Sequence, residues 1–319
     1  MLERTRMIVL LAILAVASMA TIASADTGHR KAVAQANASE RLFTLQPDPA
    51  GNPEGVAFDN RSKAFFVSIT ADGAIYRGTL GSDTVSPFIA GEAGRNAVGI
   101  KVRRGKLYVA GGPSGSITVY DLATRQVVAQ FETGAGGFLN DLVVTDRGDV
   151  FVTDSFRPVL WHVTAKQVRA GSGAPQALDV SEIPYEGGGQ FNVNGIVRAS
   201  ARRLVVVDTN SGKLFRIRLG KHRSSIRSID EIEGATVPGG DGLLRDRGRL
   251  VVVQGSPAQL AFLKLRHGTA TLKRTQTSDK LRGPSTVARA RGLYLVVNAD
   301  FANGAVPFTV AGLPRHVAH

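Results

Sequence analysis

Short stretches in which hydrophobic and polar residues alternate recur along the chain from Pro53 onward. Each copy starts with an apolar alternation, turns through a basic or Asp/Gly segment, and continues with an apolar run such as Leu293–Val297. Alternation with a period of two predicts half-buried strands, and the short turns between them predict hairpins. After the first 25 residues, no stretch sustains the 3.6-residue period of an amphipathic helix. The pattern therefore predicts an all-β protein.

The same pattern occurs six times, with equivalent positions 42 to 54 residues apart. These positions are Glu54, Val98, Asn140, Asn194, Asp241 and Pro284. The predicted second strands of the copies are equally regular: 64–68, 106–110, 149–153, 203–207, 249–253 and 293–297. A repeat of about this length, holding about four short strands, is typical of one blade of a β-propeller. We therefore predict a six-bladed β-propeller that forms one domain over residues 49–319.

The N-terminus has the features of an export signal. Arg4 and Arg6 precede the apolar run Met7–Ala17, which is shorter than the ~20 residues that a spanning helix needs. The small-x-small sequence Ala23-Ser24-Ala25 follows as a cleavage site. We expect residues 1–25 to be a cleaved signal peptide, the mature chain to start at Asp26, and the protein to be secreted, extracellular or periplasmic. An uncleaved membrane anchor is the alternative, and no later segment is apolar enough to span a membrane.

Residues 26–48 are polar and rich in Ala, which predicts a flexible lead-in before the repeats. The chain contains no cysteine, and this excludes disulfides, iron–sulfur ligation, Cys-zinc sites and thiol catalysis. The six histidines are scattered without HxxxH or HxH spacing, and no serine lies in a GxSxG motif. The 36 glycines agree with a fold that has many turns.

The formal net charge of +13 is concentrated in one part of the chain. Residues 201–291 hold 19 of the 39 Lys and Arg residues but only 7 of the 26 Asp and Glu residues. Such a field attracts anionic surfaces and polymers. Because these cations alternate with apolar residues, the simpler interpretation is the solvated side of strands, and nucleic-acid binding is disfavoured. An anionic partner for the 201–291 region is the alternative.

Four of the six equivalent positions carry side-chain oxygens: Glu54, Asn140, Asn194 and Asp241. In a propeller the first strand of each blade lines the central channel, so these residues would converge. Two carboxylates and two amides suit a hard divalent cation, Ca²⁺ first, with Mg²⁺, Mn²⁺ or Zn²⁺ as alternatives. Asn and Asp also stabilise turns at strand entries, which explains any one of them alone. Their shared position in the repeat favours the metal.

These motifs resemble the gluconolactonase/regucalcin (senescence-marker-protein) family of six-bladed propellers. Pro53-Glu54-Gly55, Asn140-Asp141, Asn194-Gly195 and Asp241-Gly242 are similar to four family motifs, in the family's order and at blade spacing. The resemblance implies that Glu54, Asn194 and Asp241 bind the metal and that Asn140 is an outer ligand or contacts substrate. Strictosidine-synthase-like and other propellers share the repeat without the full ligand set.

The sequence favours a secreted, divalent-metal-dependent hydrolase of a lactone or related ester. Asp241 or Glu54 would accept the proton of the attacking water, and Asn140 would position the ester. Phe138 stands where sugar-lactone enzymes of the family often have an arginine, which predicts a substrate-binding residue that prefers apolar lactones and esters. The alternative is a non-catalytic binding propeller with a structural channel metal and a basic docking face.

Overall fold

The structure is a computed structural model and describes residues 39–315. The predicted signal peptide and residues 26–38 of the predicted lead-in lie outside the described residues. Residues Glu40–Leu313 form a compact unit. The fold described here is that of this unit.

The described residues form 24 strands and one short helix. The first half of the strands are β1 (Arg41–Leu45), β2 (Pro53–Asp59), β3 (Ala64–Ile69), β4 (Ile75–Thr79), β5 (Thr84–Ile89), β6 (Ile100–Arg103), β7 (Lys106–Ala110), β8 (Ser116–Asp121), β9 (Val127–Glu132), β10 (Leu139–Val144), β11 (Val150–Asp154) and β12 (Val159–Val163). The second half are β13 (Gln176–Asp179), β14 (Val193–Ser200), β15 (Arg203–Asp208), β16 (Leu214–Leu219), β17 (Ile226–Gly234), β18 (Gly240–Asp246), β19 (Arg249–Gln254), β20 (Gln259–Arg266), β21 (Thr269–Gln276), β22 (Pro284–Ala290), β23 (Leu293–Asn298) and β24 (Thr309–Pro314). The predicted second strands are confirmed to within one residue at each end.

The strands pair in antiparallel runs of four. The runs β6–β9 and β10–β13 are separate sheets, whereas β2–β5 and β14–β17 each continue into a neighbouring run through one parallel pair. These parallel pairs join β5 to β1 and β17 to β21. The first strands β2, β6, β10, β14, β18 and β22 contact one another in sequence, and β22 contacts β2 again. Four-stranded sheets around a closed ring of first strands are typical of a β-propeller, as predicted.

The strand β1 joins the two ends of the repeat region. It pairs antiparallel with β24, with Arg41 opposite Gly312 and Thr44 opposite Thr309. The sequence placed Arg41–Leu45 in the flexible lead-in, but the structure assigns these residues to the outer strand of the last run. The physical reason is burial: Phe43 and Leu45 are completely buried in a hydrophobic cluster with Val297 and Val310. A strand that closes the ring in this way leaves no unpaired edge in the last sheet.

Burial decreases from the ring outward. All six residues of β3 are buried, because this strand packs against neighbouring sheets on both faces. The outer strand β9 alternates between exposed and buried residues. Six hydrophobic clusters of this kind lie within and between neighbouring sheets. The core is therefore spread around the ring.

One helix, α1 (Ala165–Ala170), interrupts the third run between β12 and β13. Thr164 caps its N-terminus in a capping box with Gln167, and Gly171 ends it in a left-handed conformation. The sequence analysis predicted no helix here, because one and a half turns are too short to show a 3.6-residue period. Over residues 39–315, no helix has the length and apolar character needed to cross a bilayer.

Candidate metal-binding site

The four oxygen-bearing residues predicted from the repeat occupy one register position. Glu54, Asn140, Asn194 and Asp241 are each the second residue of a first strand, in β2, β10, β14 and β18. Val98 precedes β6, and Pro284 starts β22. Since the first strands contact one another around the ring, equivalent register puts the four side chains at the same end of it.

A β-bulge lies at each of these four positions. The pairing between first and second strand shifts register between Pro53 and Val56, Leu139 and Leu142, Val193 and Ile196, and Gly240 and Leu243. A bulge leaves residues unpaired and redirects their side chains, and bulges concentrate next to functional sites. The same shift occurs between Pro284 and Val287 in β22, so the bulge belongs to the repeat as a whole.

The glycine after a ligand position allows the neighbouring first strand to approach closely. A Cβ on Gly55 would lie 2.4 Å from the carbonyl oxygen of Val98. A Cβ on Gly195 would lie 2.1 Å from the carbonyl oxygen of Asp241. Both distances are far below van der Waals contact, so a side chain would push the strands apart. This explains in packing terms why Glu-Gly and Asn-Gly pairs recur at blade spacing.

The electrostatics couple several of these side chains. Burial raises the pKa of Glu54 well above its ordinary value, and the nearby charges of Asp241 and Asp141 raise it further. Burial, followed by the charge of Asp141, raises the pKa of Asp241 to about 8, while a side-chain hydrogen bond from Asn194 opposes the rise. A nearby like charge raises the pKa of a carboxyl group in a poorly solvated region, so these groups act on one another inside the ring. Glu54, Asp141, Asn194 and Asp241 therefore form one cluster.

Three oxygens in this cluster have no hydrogen-bond partner. They are Oε2 of Glu54, Oδ1 of Asn194 and Oδ1 of Asp241, all shielded from solvent. Buried polar atoms are normally satisfied, so three orphaned acceptors on three first strands of one ring call for a cation. All three are hard oxygen donors of the kind that calcium and magnesium prefer. The residues present thus fit a divalent cation.

The ligand chemistry narrows the choice of metal. Among residues 39–315, no group of three or more His, Cys, Asp or Glu side chains is arranged to hold a metal ion. A metal here would depend on an amide oxygen beside carboxylates, which zinc rarely uses in structural or catalytic sites. The donor set therefore favours Ca²⁺ or Mg²⁺ over Zn²⁺.

Lys101 is a charged residue of the site that the sequence analysis missed. It lies on β6, and its ammonium is 2.6 Å from Oδ1 of Asp141. Its charge also lowers the pKa of Glu54. The available signal was a lysine between the apolar residues Ile100 and Val102 in a predicted first strand. Lys101 and Asp141 add one positive and one negative charge to the site.

Hydroxyl groups fix the strands that carry the site. Oγ1 of Thr153 accepts a hydrogen bond from the amide of Asp141 at 3.0 Å and donates to the carbonyl oxygen of Asn194 at 2.7 Å. The side-chain amide of Asn140 donates to Oγ of Ser155 at 3.0 Å, and this bond orients the amide. On the opposite side, Thr286 donates to Oε1 of Glu54 at 3.3 Å. These bonds tie neighbouring runs together where the bulges interrupt the ladders.

Phe138 belongs to a cluster of three phenylalanines beside Asn140. Its ring lies 4.9 Å from that of Phe191 and 5.4 Å from that of Phe156. Phe156 and Phe191 are 36% and 40% exposed, so the cluster presents an apolar surface to solvent. Phe191 stands three residues before Asn194, and Phe156 directly follows Ser155. The carboxylate of Asp154 accepts hydrogen bonds from the amides of Phe138 and Phe156, which fixes the two backbones together.

At the level of sequence, no protein-family model and no curated protein matches this chain. Solved structures do match. A gluconolactonase from Xanthomonas campestris has a TM-score of 0.62 at 18% identity, over 86% of this chain and 89% of that one. A luciferin-regenerating enzyme has a TM-score of 0.64 at 13% identity, over 88% of this chain and 96% of that one. The WD40 β-propeller domain of Doa1 also matches, with a TM-score of 0.52 at 12% identity, over 82% of this chain and 78% of that one. At these identities the likeness establishes the β-propeller fold, and the predicted resemblance to gluconolactonase-like propellers is confirmed at that level.

Proposed function

We propose that this protein is a divalent-metal-dependent hydrolase of a lactone or related ester, with its metal in the central channel of a six-bladed β-propeller. The observation that carries the proposal is the set of three orphaned, buried oxygens on Glu54, Asn194 and Asp241. The likeness in fold to a gluconolactonase supports the reaction class. Secretion after cleavage before Asp26 is part of the same proposal and rests on the sequence of the first 25 residues.

The pairing of the strands supports a count of six blades. Four-stranded runs start at β2, β6, β10, β14, β18 and β22, and β1 supplies the fourth strand of the last of them. The parallel pairs that fuse two neighbouring runs into larger sheets involve only two residues each. We therefore count each run as one blade. A ring of six blades puts the second residues of opposite first strands across one channel.

Glu54, Asn194 and Asp241 would hold the metal, and Ca²⁺ is the first choice. The three carboxylates of Glu54, Asp141 and Asp241 and the one ammonium of Lys101 leave a net charge that a divalent cation would neutralise. When bound, such a cation polarises an ester carbonyl and lowers the pKa of a water molecule. Without it, the two buried carboxylates favour protonation, as their raised pKa values express.

The chain's own groups have distinct roles in ester hydrolysis. The side-chain amide of Asn140, held by Ser155, would position the ester carbonyl. Asp241 or Glu54 would accept the proton that water loses as its oxygen attacks the carbonyl carbon. That proton would then pass to the ring oxygen when its bond to the carbonyl carbon breaks. The products are a carboxylic acid and an alcohol.

The phenylalanine cluster supports an apolar substrate. Phe138, Phe156 and Phe191 lie beside Asn140 and Asn194, where a bound ester would place its ring or chain. Burial of each substrate methylene there contributes about 0.8 kcal/mol. A sugar lactone would lose hydrogen bonds to water against the same surface with little replacement. The proposed substrate class is therefore alkyl or aryl lactones and esters.

The test is an assay of a panel of lactones and aryl esters with and without a chelator. Turnover should require Ca²⁺ and should fall by at least about a hundredfold in Glu54→Gln and Asp241→Asn, because even outer-shell changes cost ~10–100-fold. Glu182→Gln and Asp48→Asn remove exposed carboxylates as matched controls and should leave turnover unchanged. Calcium binding without turnover of any panel member would instead identify a non-catalytic propeller with a structural metal. Turnover that resists chelation would contradict the proposal.

A further inference from the structure

One end of the ring carries two sets of turns. The turns from first to second strands and from third to fourth strands lie at the same end, since strand direction alternates within each run. Contacts between the two sets support this: the amide of Leu219 donates to the carbonyl oxygen of Arg202 at 2.9 Å, and Nε of Arg223 donates to that of Ala201 at 3.0 Å. Glu54, Asn194 and Asp241 are at the opposite end, where the first strands begin.

These turns are strongly basic, and together we call them the basic face. Every turn from a first to a second strand carries at least one Lys or Arg. The cations on the two sets of turns are Arg61, Lys63, Arg104, Arg125, Arg147, Lys166, Arg169, Arg202, Lys221, Arg223, Arg247 and Arg291. All of them except Arg223 are exposed. They come from every run, so the basic face extends well beyond the 201–291 region that the sequence marked.

Many basic residues at these turns have an unusual backbone conformation. Eight residues other than glycine have a positive φ in the described chain, and seven of them are basic residues of the basic face. They are Lys63, Arg104, Arg125, Arg223, Arg247, His267 and Arg291. Left-handed positions favour Gly, Asn or Asp, and Arg104-Gly105 and Arg247-Gly248 occupy hairpin turns where Asn-Gly is the common choice. The chain accepts a conformational cost at each of these positions and has a cation or histidine there.

The carboxylates near the basic face are engaged. In the turn between β4 and β5, which carries no cation, Asp83 pairs with Arg41. Asp146 pairs with Arg103 and Arg198, and Asp149 pairs with Arg223 at 2.9 Å. Asp246 is buried and accepts a hydrogen bond from Tyr294 at 2.8 Å. The exposed cations at the turn tips are therefore in excess over accessible carboxylates.

The end that carries the site has a different charge pattern. Its arginines are partly buried, and each pairs with a neighbouring carboxylate: Arg95 with Glu92, Arg157 with Asp154, and Arg282 with Asp300. Among residues 39–315, the excess of positive charge thus lies at one end of the ring. An anionic surface would attract the basic face and leave the site end pointing away.

The shape of the basic face favours a lipid surface over nucleic acid. Its turns contain no Phe, Tyr or Trp on which bases could stack, and the cations are spread across the whole end of the ring. A recess of about 570 Å³ between the first two runs is lined by Arg61, Arg103 and Arg104, together with Phe58 and Asp59. It has room for a phosphate headgroup. Two apolar side chains near this end, Leu42 and Val127, are 39% and 46% exposed. Exposed aliphatic groups beside cations suit the interface of an anionic bilayer.

We propose that the basic face binds an anionic phospholipid surface and holds the protein with its site end directed into solution. The binding is independent of the proposed hydrolase activity, because none of the metal-binding residues belongs to the basic face. It depends on salt, since exposed charges are screened within ~8 Å at physiological ionic strength.

The experiment measures co-sedimentation of the purified full chain with vesicles of phosphatidylcholine, with and without about one third phosphatidylglycerol. The test variant is Lys63→Asn/Arg104→Asn/Arg247→Asn, which removes three charges and introduces the residue that left-handed turns favour. We therefore expect this variant to fold and to keep the melting temperature of the native chain. The matched control is Arg77→Gln/Lys213→Gln/Lys273→Gln, which removes three cations that lie away from these turns.

The native chain and the control should bind the anionic vesicles. The test variant should bind them roughly a hundredfold more weakly, because each of the three removed cations contributes about a fivefold gain in affinity. Equal binding to both kinds of vesicle by the native chain would overturn the proposal. An equal loss of vesicle binding in the test variant and the control would also overturn the proposal, because the net charge of the protein, and not the position of the cations, would then determine binding. Binding to duplex DNA or heparin without binding to anionic vesicles would overturn it in favour of another polyanion.

Discussion

The ammonium of Lys101 lies 2.6 Å from Oδ1 of Asp141, and its positive charge also lowers the pKa of Glu54. Lys101 and Asp141 come from β6 and β10, neighbours in the ring. A Lys101→Met variant would leave Asp141 buried with hydrogen bonds from the amides of Leu142 and Ile196 but without its cation. We expect the metal-free variant to lose about 2 kcal/mol of unfolding free energy, since the lysine is partly exposed and the pair is partly screened.

Calcium binding by the Lys101→Met variant should change in the opposite direction. Removal of a positive charge from the site should tighten calcium binding by at least about tenfold. Isothermal titration calorimetry measures the affinity, and chemical unfolding with chelator measures the stability. The double variant Lys101→Met/Asp141→Asn should recover stability, because it removes both charges. Weaker calcium binding in Lys101→Met would contradict this account of the charges.

The raised pKa of Asp241 predicts how pH affects the metal-free protein. The folded pKa of about 8 lies above the unfolded value, so the folded state holds a proton that the unfolded state releases. Stability from this group is therefore present below the unfolded pKa and is lost as pH rises toward 8. Melting temperatures in chelator should fall between about pH 5 and pH 8, whereas Asp241→Asn should reduce this dependence. Calcium affinity should rise over the same interval, because the metal displaces the proton.

The phenylalanine cluster predicts substrate preference. The native protein should have a higher kcat/KM on an alkyl or aryl lactone than on gluconolactone, by about fourfold for each buried methylene. Phe138→Arg should narrow or reverse that preference. Phe301, which is 60% exposed, provides an aromatic control in Phe301→Ala. Faster turnover of gluconolactone by the native protein would contradict the prediction. An unchanged substrate preference in Phe138→Arg would show that Phe138 only packs in the core.

The close approach of the first strands predicts an unusual sensitivity at Gly195. A Cβ there would lie 2.1 Å from the carbonyl oxygen of Asp241, so Gly195→Ala should cost roughly 1–3 kcal/mol and weaken calcium binding. Gly187→Ala is the matched control, because its Cβ would meet no atom within 4 Å. Denaturant unfolding compares the two variants. Equal stability of both would show that the strands can separate without cost.

The export signal predicts the N-terminus of the secreted protein. Mass spectrometry of material from the culture medium or periplasm should find a chain that starts at Asp26. Intact Met1 in that material would contradict cleavage and favour the membrane anchor.

Local sequence determined the strands and the ligand positions. Alternation with period two depends only on which face of a strand is buried, so Lys106–Ala110 was predicted to the residue and the other second strands to within one residue. The repeat aligned Glu54, Asn140, Asn194 and Asp241 because each is the second residue of a first strand. A six-residue helix at Ala165–Ala170 is too short for such a pattern to indicate.

Tertiary structure decided what depends on residues far apart in the chain. The pairing of β1 with β24 joins residues more than 250 positions apart, and only the closed ring shows that Arg41–Leu45 is a strand and not part of a lead-in. The ion pair between Lys101 and Asp141 and the Phe138, Phe156 and Phe191 cluster likewise join separate runs or loops. The sequence located excess positive charge in residues 201–291. The direction of the strands in each run places cations from the whole chain at the same end of the ring. Sequence patterns report the environment of neighbouring residues, whereas the closure of the ring determines which distant residues meet.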